Sequence, residues 1–249
     1  MIVYGINPVL EAVRSGQVRL LWANPRGGSR VRDLTGQASE RGVAVRWVDP
    51  PALDRLTRGG VHQGVAAELQ PRRAFTIGDL VATAPPPALI VVLDGIEDPR
   101  NLGAILRTVE AAGASGVVRQ TRRAAALDGA AAKAAAGAAA HVRIADVVNI
   151  ARALEELKQA GVWTIGLAAE APTRYDEIDL TLPTAWVLGA EGKGLRRLVR
   201  ERCDWVASIP LRGQVTSLNV SVAAGVALFE ALRQRSVRDR AGEGPGGRT

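Results

Sequence analysis

The chain has 249 residues, is 47% hydrophobic, and carries a formal net charge of +7 with one cysteine, Cys203. That length suits one large domain or two small ones, and the single cysteine excludes a disulfide framework within the chain. Without a CxxC pair, and with only His62 and His141, a Cys/His zinc site is not expected, and no apolar run reaches the ~18–20 residues of a membrane span. The opening MIVYGINPVLEAV lacks a charged leader followed by an apolar stretch, so no signal peptide is expected. The expectation is a soluble, cytoplasmic protein with no metal and no membrane partner.

In chain order, Asn7-Pro8 reads as a cap followed by proline at the first helical position, with a short helix through Arg14. Strands are expected at Val18–Trp22, Val43–Val48 and Val65–Leu69, a helix at Ser29–Arg41, and a helical turn at Asp49–Leu56. Residues 70–87 end in Pro85–Pro87 and read as an extended, semi-rigid connector. Ala88–Leu93 (ALIVVL) is continuously apolar, as in a strand buried on both faces. Asp98-Pro99 starts a helix whose Leu102, Ile105, Leu106 and Val109 form one apolar stripe, and Gly113 ends it. A short strand follows at Gly116–Val118. Residues 124–140, mostly alanine, read as helical but of low complexity. Asn149–Ala160, Leu195–Glu201 and Asn219–Arg235 read as helices. Trp163–Leu167, Ala185–Leu188 and Trp205–Ile209 read as strands. Repeated β-α alternation predicts an α/β fold: a parallel sheet covered by helices, preceded by a smaller α/β domain. The expected domains are residues 1–72, a linker at 73–87, a second domain at 88–236, and a disordered tail at 237–249.

Charge is placed unevenly. Residues 1–73 hold eleven arginines against six acids, residues 233–249 five against two, and the middle is near neutral. This pattern fits an anionic polymer held by the chain ends; arginine-rich codon usage and solubility explain it as well. From Val220 to Phe229 the last helix carries no charge and many small residues. A helix apolar all round is expected to be buried all round, within its own domain or, as favoured here, in a subunit interface.

Three clusters carry chemistry, each just past the C-terminal end of a strand, where ligands of parallel sheets gather. In LDGIEDPRNLGAILRTVEAAG, Asp94 follows a buried strand, Asn101 sits in the first helical turn, and Arg107 faces away from the apolar stripe; a capped helix with a solvated arginine is the plainer reading. In GAEGKGL, three glycines permit close backbone approach to a ligand around Glu191, which is otherwise a surface acid. The loop matches neither GxxxxGK[ST] nor GxGxxG. In IPLRGQVTSLN, Ser217 and Asn219 either cap the last helix or belong to a site.

Together, DGIEDPRNLGAILRT, LGAEGKGLRRL and IPLRGQVTSLNVSVAAGVALFE closely resemble, in order, the three motifs of the SpoU family of RNA ribose 2′-O-methyltransferases, within the SPOUT superfamily. The resemblance covers nearly the whole chain, and three ordered motifs are specific. MIVYGINPVLEAV and GGVHQGVAAEL further resemble the branch acting on guanosine in bacterial 23S rRNA. The resemblance implies a trefoil-knotted catalytic domain, a ribosomal-protein-like RNA-binding domain before it, a homodimer, and S-adenosylmethionine as methyl donor to a ribose 2′-hydroxyl of RNA. It implies Asn101, Arg107, Glu191, Ser217 and Asn219 as catalytic residues. It implies a cofactor site at Gly189, Glu191, Gly194, Ile209, Leu211, Leu218 and Asn219, with backbone contacts near Gly189, Ile209 and Leu218. The motif-one arginine is often described as the base. Because arginine holds its proton to a pKa above ~12, Arg107 fits better as a grip on phosphate or on a developing alkoxide. One departure stands at Lys133–Ala138 (KAAAGA), where Ala135 replaces the family's serine. A tRNA 2′-O-methyltransferase, or a non-catalytic RNA-binding protein of the same fold, are the alternatives.

Overall fold

Short apolar runs alternating with amphipathic helices build two α/β units in the computed structural model, which describes residues 2–70, 74–122, 124–125, 131, 134–135 and 137–242. The first unit takes its described residues from 1–73, 98–107 and 125–141, and the second from 74–97, 108–124 and 142–249.

In the first unit, β1 (Ile2–Tyr4), α1 (Ile6–Arg14), β2 (Val18–Ala23), α2 (Ser29–Glu40), β3 (Ala44–Trp47), α3 (Pro50–Thr57) and β4 (Val65–Leu69) form a mixed sheet ordered β1-β4-β2-β3. β4 is antiparallel to β1 and β2, whereas β2 and β3 are parallel. Val9, Val13, Leu21, Val31, Leu34 and Val65 meet in its core. The sequence places a cap at Asn7, but α1 begins at Ile6, because the Gln63 side chain accepts the Ile6 N–H (3.0 Å) and Gly5 takes φ 89°. Asn7 instead accepts a hydrogen bond from Arg30 Nη2 (3.1 Å). The strand β1 has no expected counterpart: three residues are too few for a period to register, and β4 supplies its pairing.

The second unit opens with α4 (Ile77–Ala82), which corrects the extended-spacer reading of residues 70–87. Thr76 and Asp79 form a reciprocal capping box, and Ile77 and Leu80 bury into the core with Val118 and Ala145. Next come β5 (Leu89–Asp94), α5 (Pro99–Ala111), β6 (Gly116–Gln120), β7 (Ile144–Val147), α6 (Ile150–Gln159), β8 (Trp163–Leu167), β9 (Thr173–Arg174), β10 (Thr184–Gly189), α7 (Arg197–Arg202), β11 (Trp205–Ser208) and α8 (Val220–Gly242). All seven strands are parallel, in the order β7-β6-β5-β10-β8-β11-β9. Central β5 is buried at every residue, as a strand with sheet on both sides and helices on both faces must be. β7 and β9 were not expected, being four and two residues long.

The expected disorder from Val237 is corrected as far as Gly242, where α8 continues; residues 243–249 lie outside the described ones. Arg238 anchors this extension to the Thr181 hydroxyl (2.9 Å). Further back, Arg235 spreads its guanidinium over the carbonyls of Leu180, Pro87, Ala88 and Leu182, at 2.8–3.1 Å. These carbonyls lie at or just before the N-terminal ends of β5 and β10, so α8 runs back along the sheet. Its burial is one-sided rather than complete: Ala224, Ala227, Leu228 and Ala231 are buried, but Val222 and Phe229 are each 52% exposed. Among the described residues no helix is long and apolar enough to cross a membrane.

Candidate active site

Parallel strands all end at one edge, so the loops leaving them converge there. In the second unit, the loops after β8, β10 and β11 enclose a cleft of about 670 Å³. Its lining includes Leu167–Glu170, Leu188–Leu195, Ile209, Leu211 and Thr216–Val220. All seven sequence-derived cofactor residues (Gly189, Glu191, Gly194, Ile209, Leu211, Leu218 and Asn219) line it, as does Ser217.

The loop after β10 is held in a tight fold. Ala190 and Gly194 exchange backbone hydrogen bonds (3.1 and 2.8 Å), and Gly192 and Gly194 adopt φ of 71° and 65°, which side chains rarely tolerate. At Gly189 a Cβ would sit 2.1 Å from the Gly194 carbonyl carbon, so only glycine lets the two backbones approach this closely. The loop is therefore a compact turn whose residues Gly189–Leu195 line the cleft.

Asn219 caps the last helix and also lines the cleft. Its Oδ1 accepts from the Ser221 N–H (2.8 Å) and hydroxyl (2.6 Å), capping α8, while its Nδ2 donates to Glu191 Oε1 (3.0 Å). This bond joins the second and third motifs across 28 residues of chain. Ser217 is exposed on the cleft wall and has no hydrogen-bond partner among the described residues.

Sequence reasoning did not single out the opposite wall, where Glu170 and Arg200 form an ion pair. The backbone N–H of Glu170 and then the Arg200 guanidinium hold the Glu170 carboxyl below its ordinary pKa. The cleft thus has a mixed lining, with acidic side chains at Glu170 and Glu191, cations at Lys193 and Arg200, and apolar side chains such as Leu167, Leu188 and Ile209. It suits a ligand with an aromatic body, cationic centres and a carboxylate, and its volume lies within the ~300–1,000 Å³ usual for such ligands.

Asp94 does not line the cleft. It is 1% exposed at the end of β5, and its carboxylate accepts from the Arg196 backbone N–H (2.9 Å) and Nε (2.6 Å). Arg196 Nη2 also donates to Gln120 Oε1 (2.8 Å). Asn101 and Arg107 lie on α5, in the part that belongs to the first unit. Asp98 starts that helix by accepting from the Arg100 N–H (2.8 Å). Asn101 is buried, whereas Arg107 is exposed and has no hydrogen-bond or ionic partner among the described residues. Ala135 is fully buried, and a Cβ on Gly103 would lie 2.9 Å from its nitrogen and 2.5 Å from Ala134 Cβ. Lys133 and Ala136 of the same segment lie outside the described residues. No group of His, Cys, Asp and Glu that would hold a metal ion occurs among the described residues.

A parallel sheet with a glycine-hinged loop and an amide-capped apolar helix around one cleft has known counterparts. The SpoU rRNA Methylase family matches residues 88–229, and the RNA 2′-O ribose methyltransferase substrate binding family matches residues 2–75. The chain belongs to the SpoU methyltransferase family and is an S-adenosylmethionine-dependent RNA ribose 2′-O-methyltransferase. It is 44% identical to the 23S rRNA (guanosine-2′-O-)-methyltransferase RlmB of Pseudomonas syringae pv. tomato, over 95% of this chain and 96% of that one. It is 45% identical to an uncharacterized tRNA/rRNA methyltransferase of Mycolicibacterium vanbaalenii, over 94% of this chain and 76% of the relative. Among solved structures, it resembles the SpoU methyltransferase AviRb from Streptomyces viridochromogenes in complex with AdoMet, with a TM-score of 0.80, 25% identity, and coverage of 95% of this chain and 91% of that one.

Proposed function

We propose that this enzyme methylates the 2′-hydroxyl of a guanosine in 23S rRNA, as the RlmB relatives are named for doing, and that it works as a homodimer with a trefoil-knotted catalytic domain. The observation that carries the reading is the Asn219–Glu191 bond on the cleft wall, which joins two of the three motifs beside the Gly189–Gly194 loop. Residues 1–72 act as the RNA-binding domain, of ribosomal-protein-like fold, with 88–236 as the catalytic domain. The arginine excess of residues 1–73 supports this division, because it supplies the charge that phosphates require. The exposed apolar stripe of Val222 and Phe229 on α8 supports the dimer. The work takes place in the cytoplasm.

S-adenosylmethionine supplies the methyl group already activated on a sulfonium, so no metal is needed for the transfer. The backbones of Gly189, Gly194, Ile209, Leu211 and Leu218 hold the cofactor, with Glu191 and Asn219 fixing the wall beside the ribose. Arg107, exposed and unpaired among the described residues, grips the phosphate next to the target ribose and would stabilise negative charge on the 2′-oxygen as that oxygen takes the methyl group, its proton passing to solvent and S-adenosylhomocysteine leaving. Asn101 is buried at the start of the helix that carries Arg107, and Ser217 donates to the ribose. The ribose hydroxyl as acceptor makes RNA, not DNA, the substrate.

Mapping 2′-O-methyl positions in ribosomal RNA from cells with and without the gene tests the reading. One guanosine of 23S rRNA should lose its methyl group in the deletion strain and regain it on complementation. An unchanged 23S map with a lost tRNA methylation would instead favour the second reading, a tRNA substrate, which the tRNA/rRNA naming of the Mycolicibacterium relative keeps open.

A further inference from the structure

We propose that Asp94, Arg196 and Gln120 form a clamp that holds the cofactor loop in its binding shape, making them positioning residues for S-adenosylmethionine. The inference rests on the reading of the Gly189–Leu195 loop as part of the cofactor site.

The loop leaves the sheet at Gly189 and rejoins regular structure at Arg196. Both ends are fixed to the same residue of β5. Gly189 pairs in register with Asp94, and the Asp94 carboxylate takes the Arg196 backbone N–H (2.9 Å) and Nε (2.6 Å). The third member, Gln120, ends β6 on the other side of β5 and accepts from Arg196 Nη2 (2.8 Å). The clamp therefore crosses the ends of three adjacent strands, β6, β5 and β10.

Between these anchors the loop is stabilised internally by the Ala190–Gly194 pair. Its glycines, two of them at positive φ, give an unfixed loop many conformations to lose when a ligand orders it. The Asp94 side chain is 0% exposed, whereas that of Arg196 is 55% exposed. Burying a carboxylate costs several kcal/mol unless it is paired and hydrogen-bonded, so its main return here is one defined loop geometry. A clamp that orders the loop in advance lowers the entropy lost when the cofactor binds. None of the three side chains lines the cleft, so they act through the loop and not by contact.

The test uses the full chain carrying Arg196→Met, Arg196→Lys, Gln120→Leu or Asp94→Asn. Affinity for S-adenosylmethionine is measured by calorimetry, kcat and KM for RNA by methyl transfer, and the melting temperature without cofactor. Arg196→Met should weaken cofactor binding about tenfold, equivalent to ~1.4 kcal/mol, and leave the KM for RNA unchanged. Arg196→Lys should recover part of the loss, because an ammonium restores charge but not the fork. Gln120→Leu should show a smaller loss of the same kind. Arg196 is half exposed, so Arg196→Met remains informative if Asp94→Asn fails to fold. Wild-type cofactor affinity in Arg196→Met overturns the clamp, as does a parallel loss of cofactor binding, RNA KM and melting temperature, which marks general destabilisation. Failure of the wild-type chain to bind S-adenosylmethionine overturns the cofactor reading itself, and the clamp with it.

Discussion

At the residue scale, Asn219 allows helix capping to be separated from the proposed site role, because one end of its amide caps α8 and the other bonds Glu191. Asn219→Asp keeps an oxygen for the Ser221 N–H but loses the donor to Glu191 and sets a second carboxylate beside it. Thermal stability should therefore stay within ~1 kcal/mol of wild type, the scale of a single cap, while cofactor affinity falls several-fold. Calorimetric titration beside thermal melts checks this; unchanged affinity would remove the Glu191–Asn219 bond from the cofactor site. The pair Ser217 and Asn219 was legible in the sequence as one polar loop before an apolar helix. That Asn219 reaches Glu191 was not, because no local pattern encodes a bond across 28 residues. Asp94 makes the same point more sharply. Its position after a buried strand marked it as a ligand-site candidate, yet its partner Arg196 lies 102 residues away, and the carboxylate serves the loop.

At the element scale, the long apolar strand β5 and the capped helices α5 and α6 were legible from the sequence. A continuous apolar run and a 3.6-residue stripe are strong signals; Asp98 caps where expected, and Asn149, read as the first residue of its helix, is that helix's cap. The element α4 was hidden because six residues among prolines read as a connector, and its stability comes from Ile77 and Leu80 packing on distant strands. A further long-range tie joins β8 to β11. Asp204 accepts from the Thr164 N–H (2.9 Å) and hydroxyl (2.7 Å), with Lys158 Nζ 3.1 Å away. Burial raises the Asp204 carboxyl, but hydrogen bonds from Thr164 and Lys158 outweigh it and leave its pKa below the ordinary value. A depressed folded-state pKa gives stability that is complete above the unfolded value, near ~4, and is lost as pH falls through the folded value. Urea unfolding at a series of pH values should show Asp204→Asn less stable by about 1–3 kcal/mol at neutral pH, with the difference narrowing below pH ~4. A difference that does not change with pH would show that the charge of Asp204 contributes nothing. Nearby, burial pushes the Cys203 thiol up to about 12, so it stays a protonated core group at neutral pH.

At the scale of the whole molecule, the sequence made both α/β units legible through the β-α alternation, but Pro85–Pro87, read as part of a connector, fall inside the second unit. Which residues of α5 and of the alanine-rich segment join the first unit was not legible, because that depends on packing of small residues such as Gly103 and Ala134. The last helix was expected to be buried all round. In the single chain it keeps an exposed apolar face, and a second copy of the chain is the proposed cover. Light scattering should give a dimer for wild type and a monomer, at the same concentration, for Val222→Asp combined with Phe229→Glu. A dimer that survives both changes would place the interface elsewhere.

In the proposed mechanism the cleft holds the methyl donor and Arg107 serves the acceptor. Methyl transfer from labelled S-adenosylmethionine to a 23S rRNA fragment, with the product nucleoside identified and cofactor affinity measured alongside, tests it most directly. Wild type should yield 2′-O-methylguanosine, while Arg107→Ala should abolish transfer and bind the cofactor nearly as well as wild type. Label on a base, or near-normal turnover by Arg107→Ala, would overturn that mechanism.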